Sequence, residues 1–154
     1  MYQRILIAID PENENEGKRA LEFAMTLMTE NGELHLASAY NVGGGGFFPY
    51  ITEDAPEQKE AEVRKTLDKI VRKYLPINRH ANLHVLAGNT GKKLVSLGGQ
   101  LNADLMILIS RGSSGYWPVH RATVEYVSVN AACPVLVLPS LEKITSKNPD
   151  GLNH

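Results

Sequence analysis

Past the apolar run Leu105-Met-Ile-Leu-Ile-Ser110, the chain reads Arg111-Gly112-Ser113-Ser114-Gly115-Tyr116-Trp117-Pro118, then continues to Arg121 and Thr123. Small residues directly after a strand leave backbone N–H groups open to close approach, and such groups hold phosphate. Ser110, Ser113, Ser114 and Thr123 add hydroxyl donors. Arg111 and Arg121 add positive charge suited to phosphate oxygens. One carboxylate, Asp10, closes the opening apolar run Arg4-Ile-Leu-Ile-Ala-Ile9. These types together suit a phosphorylated small molecule. Each also has a plainer use: the loop as ordinary surface, and Asp10 as the residue that turns the chain before Pro11.

Other chemical motifs fail on inspection. Gly88-Asn-Thr-Gly91-Lys92-Lys93 looks like a P-loop, but that motif needs four residues between its glycines and Ser or Thr after the lysine. It reads as a strand-to-helix turn. No Gly-x-Gly-x-x-Gly follows the first strand, which argues against a dinucleotide cofactor. His80 and His84 share a face of an extended segment, yet two histidines without a third ligand rarely make a zinc site. There is no Gly-x-Ser-x-Gly elbow. Cys133, the only cysteine, has no recognisable base partner and reads as a small core residue. No metal ligands and no catalytic residues are assigned.

Composition sets outer bounds. A chain of 154 residues with net charge -1 suits one compact domain. It carries no global basic field for nucleic acid or anionic lipid. No apolar run approaches the ~18 residues of a membrane span. The opening MYQRILIAID enters a strand rather than a signal peptide, and a single thiol fits a reducing cytoplasm.

The elements that must position these residues alternate between short apolar runs and helix-period segments, the sign of a parallel sheet with crossover helices. Strands are expected near 4–9, 33–40, 82–87, 105–109 and 135–138. Helices are expected near 14–30, 56–74, 91–101 and 123–131. The first helix carries the stripe Ala20, Phe23, Ala24, Leu27 and Met28, ended by Asn31-Gly32 in the left-handed conformation. The second carries Val63, Leu67, Ile70 and Tyr74 and stops at Leu75-Pro76. The third is weakened by Gly98-Gly99. A long loop, Asn41 to Ala55, contains Gly43 to Gly46, and loops of this length are usually functional or mobile.

The wording Ser110-Arg111-Gly112, Glu125-Tyr126-Val127 and Cys133-Pro134-Val135-Leu136-Val137, with the opening Arg4 to Asp10, resembles the universal stress protein family over roughly Gln3 to Pro139. The resemblance implies an α/β fold: one doubly wound domain over residues 1–140, with a polar tail at 141–154. It implies a five-stranded parallel sheet of order 3-2-1-4-5 with helices on both faces. The carboxyl ends of the first and fourth strands would flank the topological switch point. An adenine-nucleotide crevice is implied there. Ala8, Ile9 and Asp10 would stand at the exit of the first strand, with Asp10 on ribose hydroxyls. Ala39 would offer its backbone to adenine. Ser110, Arg111, Gly112, Ser113, Ala122 and Thr123 would surround the phosphates of ATP.

The family motif is Gly, two residues, Gly, nine residues, then Gly-Ser or Gly-Thr. Gly112 matches the second glycine, whereas Ile109 stands at the first. The final pair falls on Ala122-Thr123 by direct counting, or on Arg121-Ala122 by alignment from Cys133-Pro134. The resemblance also implies a homodimer joined along Val135, Leu136, Val137 and Leu138. Its apolar edge strand needs cover. Three readings follow: a cytoplasmic stress-response module with a weakened ATP crevice, an interaction module with that crevice plugged by Tyr116 and Trp117, and a slow ATPase. The last is least favoured, because phosphoryl transfer needs more carboxylate and base than Asp10 supplies.

Overall fold

The computed structural model describes residues 1–40, 56–110 and 121–140. Arg111, Gly112, Ser113, Tyr116 and Trp117, the four-glycine loop and the tail from residue 141 lie outside them, as do the side chains of Pro56 and Arg121. The elements are β1 (Tyr2–Ala8), α1 (Glu14–Leu27), β2 (Met28–Tyr40), α2 (Pro56–Tyr74), β3 (Ala81–Ala87), α3 (Thr90–Leu101), β4 (Leu105–Ser110), α4 (Arg121–Asn130) and β5 (Val135–Pro139). All ladders are parallel, and the sheet order is β3-β2-β1-β4-β5. This is the expected five-stranded order.

Strand alternation divides the core into two layers. Ile5, Ile7 and Ile9 join Leu34, Leu36, Ile107 and Ile109 beneath Ala20, Leu21 and Ala24 of α1 and Leu67 and Ile70 of α2. Leu6, Ala8, Ala37, Ala39, Met106 and Leu108 face the other way, onto Leu94 of α3 and Val127 of α4. Helices therefore cover both faces, and β1 and β4 read as continuous apolar runs because neither face meets water. Full burial of each large aliphatic side chain contributes about 1.5–3 kcal/mol.

Two expectations for the first helix are corrected. The helix ends at Leu27, not near Glu30, because Met28 turns to extended backbone (φ -91°, ψ 146°) and pairs with Tyr2 of β1. Strand pairing overrides the local helical period there. The register then slips, and the next partners are Arg4 and Glu33. Asn31-Gly32 accordingly lies inside β2. Gly32 does not take positive φ; the described residues that do are Gly88 and Asn102. Glycine serves at this position for closeness, since a Cβ on Gly32 would fall 2.2 Å from Met28 Cγ.

Phe23 is also misplaced in the expected stripe, being 43% exposed. The buried face of α1 is instead Gly17, Ala20, Leu21 and Ala24. Small residues let this helix lie close to the sheet, which turns Phe23 outward. The stripe of α2 is as expected: Leu67 and Ile70 are buried, and Val63 and Tyr74 pack against them.

Candidate functional site

The carboxyl ends of the strands collect the polar burial of this molecule. Among the described residues seven polar or charged side chains are buried: Asp10, Glu16, His35, Ser38, Thr90, Thr123 and Ser140. All but His35 sit at the carboxyl ends of strands or in the first turns of the helices that follow. Burying a polar side chain is costly unless a partner repays it, so this clustering marks one end of the sheet as different in kind.

Asp10 follows β1 directly. Its Oδ1 accepts from the Glu12 N–H at 2.9 Å, and its carbonyl accepts from the Asn13 N–H at 3.1 Å. The side chain thus turns the chain in the plain manner foreseen for it, while its buried position keeps it at the switch point. Asn13 then caps α1, its Oδ1 accepting from the Glu16 N–H at 3.2 Å. Asn13 and Glu16 stand in capping-box spacing, a signal in the sequence that would have marked Glu16. Glu16 is 1% exposed. From the next turn Arg19 reaches across, its Nη2 donating to the Pro139 carbonyl at the end of β5.

On the β2 side, the Ile9 N–H donates to the Ala37 carbonyl at 2.9 Å and holds the end of β1 against β2. Ile9 itself points into the α1/α2 layer. Ala8 and Ala39 lie in the opposite layer. Their small side chains leave room at the strand ends. Ser38, in the α1/α2 layer by alternation, is fully buried, and its Oγ has no hydrogen-bond partner among the described residues. Nothing in the sequence singles out Ser38, which stands inside β2 rather than at its end.

On the β4 side, Ser110 is half-buried and its carbonyl accepts from the Ser140 N–H at 3.1 Å. Thr123 is buried in the first turn of α4, whereas Ala122 is exposed. Thr123 therefore stands with Asp10, Ala8, Ala39 and Ser110 at the same end of the sheet. The P-loop lookalike is a strand-to-helix turn as read: Gly88 has φ +93°, and Asn89 caps α3 by accepting from the Lys92 N–H at 3.2 Å. Among the described residues no three His, Cys, Asp or Glu side chains gather as metal ligands, and no helix is long and apolar enough to cross a membrane.

Residues 1–139 match the model of the Universal stress protein family. The chain belongs to the universal stress protein family. Among solved structures, hypothetical protein MJ0577 aligns at TM-score 0.66 and 19% identity, covering 91% of this chain and 97% of that one. A universal stress protein in complex with cAMP aligns at TM-score 0.59 and 18% identity over 90% and 97% of the two chains. The universal stress protein from Archaeoglobus fulgidus in complex with dAMP aligns at 0.57 and 19% over 88% and 97%. At these identities the likeness is one of fold. No protein of curated function matches the chain in sequence.

One departure from the universal stress protein motif can be judged from packing. Ile109, at the place of the motif's first glycine, is buried with Ile9 in the α1/α2 layer. Its side chain points to the sheet face opposite Ala8 and Ala39.

The β2–β3 ladder holds a pair that sequence spacing did not reveal. His84 is matched not with His80, which precedes β3 and is exposed, but with His35 of β2. His35 Nδ1 and His84 Nε2 are 3.0 Å apart. Burial holds both imidazoles below the ordinary histidine range. Cys133 is half-buried against the α3/α4 layer, and burial, with the nearby Asp104 charge, pushes its thiol up.

Proposed function

We propose that this protein is a cytoplasmic stress-response module that takes an adenine nucleotide, ATP in the first instance, at the carboxyl ends of β1, β2 and β4. The observation that carries this reading is the concentration of buried polar side chains at that end. Asp10, Ser110 and Thr123 stand where the α/β topology leaves a crevice at its switch point. Asp10, at the exit of β1, holds ribose hydroxyls. The Ala39 backbone meets the base, and Ala8 and Ile9 line the floor. Thr123 and Ser110, with Arg111, Gly112, Ser113 and the Ala122 backbone, serve the phosphates. Fold relatives in complex with cAMP and dAMP support adenine as the base. The side-chain position of Ile109 supports the same reading, because that departure from the motif leaves the Ala8–Ala39 side clear.

Mass spectrometry of small molecules released from natively purified protein tests this directly. The expected result is an adenine nucleotide in near-stoichiometric amount. Protein that carries none, and that takes up none from added ATP, favours a ligand-free interaction module.

The functional unit is a homodimer joined through β5, with the domain spanning residues 1–140 and the tail at 141–154 outside it. Val137 is 36% exposed on this edge strand, and Val129 on the adjoining helix is 82% exposed. Unpaired strand groups beside apolar side chains are satisfied by a two-fold copy. Light scattering should give twice the single-chain mass of 16.9 kDa. Val137→Lys should shift the protein to monomer, since a desolvated lysine without a partner opposes association. A parent that scatters as one chain overturns the dimer.

A further inference from the structure

Four places outside the crevice merit comparison: the grooves at the amino ends of β2 and β3, the Glu14–Lys73–Tyr74 cluster, Cys133, and the His35–His84 pair. The groove lined by Glu30, Glu33, Asn78, Arg79 and His80 is open and mixed in charge, and selects no ligand class. Glu14, Lys73 and Tyr74 satisfy one another at the surface. Cys133 stands alone among thiols. The histidine pair differs from all of these, because two titratable rings are interlocked across a strand boundary.

His35 is 6% exposed. It lies on β2, and His84 lies on the edge strand β3, two rungs further along. Ala37 is the ladder partner of His84, and Asn82 that of His35. The ring centroids are 5.2 Å apart and the planes are inclined at 32°. With Nδ1 facing Nε2 at 3.0 Å, the contact needs one N–H and one lone pair. A neutral pair supplies both.

A first added proton goes to the outer nitrogen of the donor ring, and the imidazolium still donates to its neighbour. A second proton must take the lone pair that accepts the bond. The two N–H groups then oppose each other and the contact is lost. The charged groups acting on the pair are Glu33 of β2, Arg4 of β1 and Arg64 of α2. Glu33 is bound to Arg4 at 2.5 Å, and Arg64 is bound to Glu60 at 3.2 Å. No carboxylate among these is reserved for an imidazolium.

We propose that the His35–His84 pair is an acid-opened clasp between β2 and the edge strand β3. Closed, it holds the ladder that runs on through Ala39–Leu86 and Tyr40–Ala87. Opened by the second proton, it releases β3 and with it the support for the carboxyl end of β2. Acidification is thereby converted into loosening of one sheet edge.

The direction of the pH effect follows from linkage. Both rings bind protons less readily folded than at the ordinary value of 6.5, so the unfolded chain takes up more protons as pH falls. The clasp's stabilisation is complete above that value and is lost progressively below it.

The test is hydrogen exchange of backbone amides at about pH 7 and about pH 5, spanning the histidine range, on the full chain and on His35→Gln/His84→Gln. In the parent, protection of the β3 amides should fall with pH while that of β1 holds. In the double variant the two strands should respond to pH alike. Histidine ring resonances of the parent, followed by NMR through the same titration, supply a second reading without mutation. Two rings that titrate independently at the ordinary histidine value would overturn the clasp. So would a β3 response that is equal in parent and variant.

Discussion

The two ends of the sheet are built on different terms. At the amino end, polar groups bind strand to strand. The Asp104 carboxylate accepts from the Gln3 N–H at 2.8 Å and the Arg4 N–H at 2.9 Å. The Asp104 N–H returns a bond to the Arg4 carbonyl at 2.9 Å, and Arg4 pairs with Glu33 on β2. These contacts stitch β1 to its neighbours at an end that remains close to water. At the carboxyl end the polar side chains are buried instead, and several stand in the first turns of helices. The difference teaches that polar residues in this fold divide between joining strands at one end and being buried about the strand ends and helix starts at the other.

The sharpest way to break that division is to remove the amino-end clamp. Asp104→Ala leaves two backbone donors without their charged acceptor. Bonds to charged groups contribute about 1.5–3 kcal/mol each when sheltered; with water close by, a total loss of about 2 kcal/mol is expected. Urea denaturation measures it. Nucleotide affinity of the folded variant should not change. A variant that keeps its stability but loses nucleotide would reverse the roles assigned to the two ends.

Smaller effects are expected at the carboxyl end. Thr123→Val keeps the shape of a side chain that is already buried. Its stability should stay within about 1 kcal/mol of the parent. Its effect should appear in ligand binding, where one hydrogen bond to a charged phosphate contributes about 1.5 kcal/mol, or roughly tenfold in affinity.

The sequence reading was most secure where neighbouring residues decide the outcome. Short apolar runs and period-3.6 segments reveal the nine elements of the described residues, and the stripe Val63, Leu67, Ile70 and Tyr74 is correct because α2 packs by its own periodicity. The strand order came from the family resemblance rather than from any pattern in the chain. Failures occurred where a distant partner decides. Met28 leaves the helix because Tyr2 pairs with it. Gly98, read only as a weak helical position, admits Met106, whose Cε would lie 2.2 Å from a Cβ there. His35 and His84 meet only because β2 and β3 are in a particular register.

At the candidate site, Asp10 is legible because it closes an apolar strand, and Thr123 because it carries a hydroxyl where the helix after β4 begins. Ser38 and Ser140 are not: the first is hidden in a strand run, and the second lies beyond the last one. Glu16 was overlooked despite its spacing from Asn13. Burial depends on which layer a residue enters, and that is set by the assembled sheet.

Calorimetry with ATP is the most direct measure of the proposed crevice, using the parent, Thr123→Val and Asp104→Ala side by side. The parent should bind, Thr123→Val should bind roughly tenfold more weakly, and folded Asp104→Ala should match the parent. Absence of binding in the parent, or equal affinity in the parent and Thr123→Val, would contradict the placement of the nucleotide at the carboxyl ends of β1 and β4.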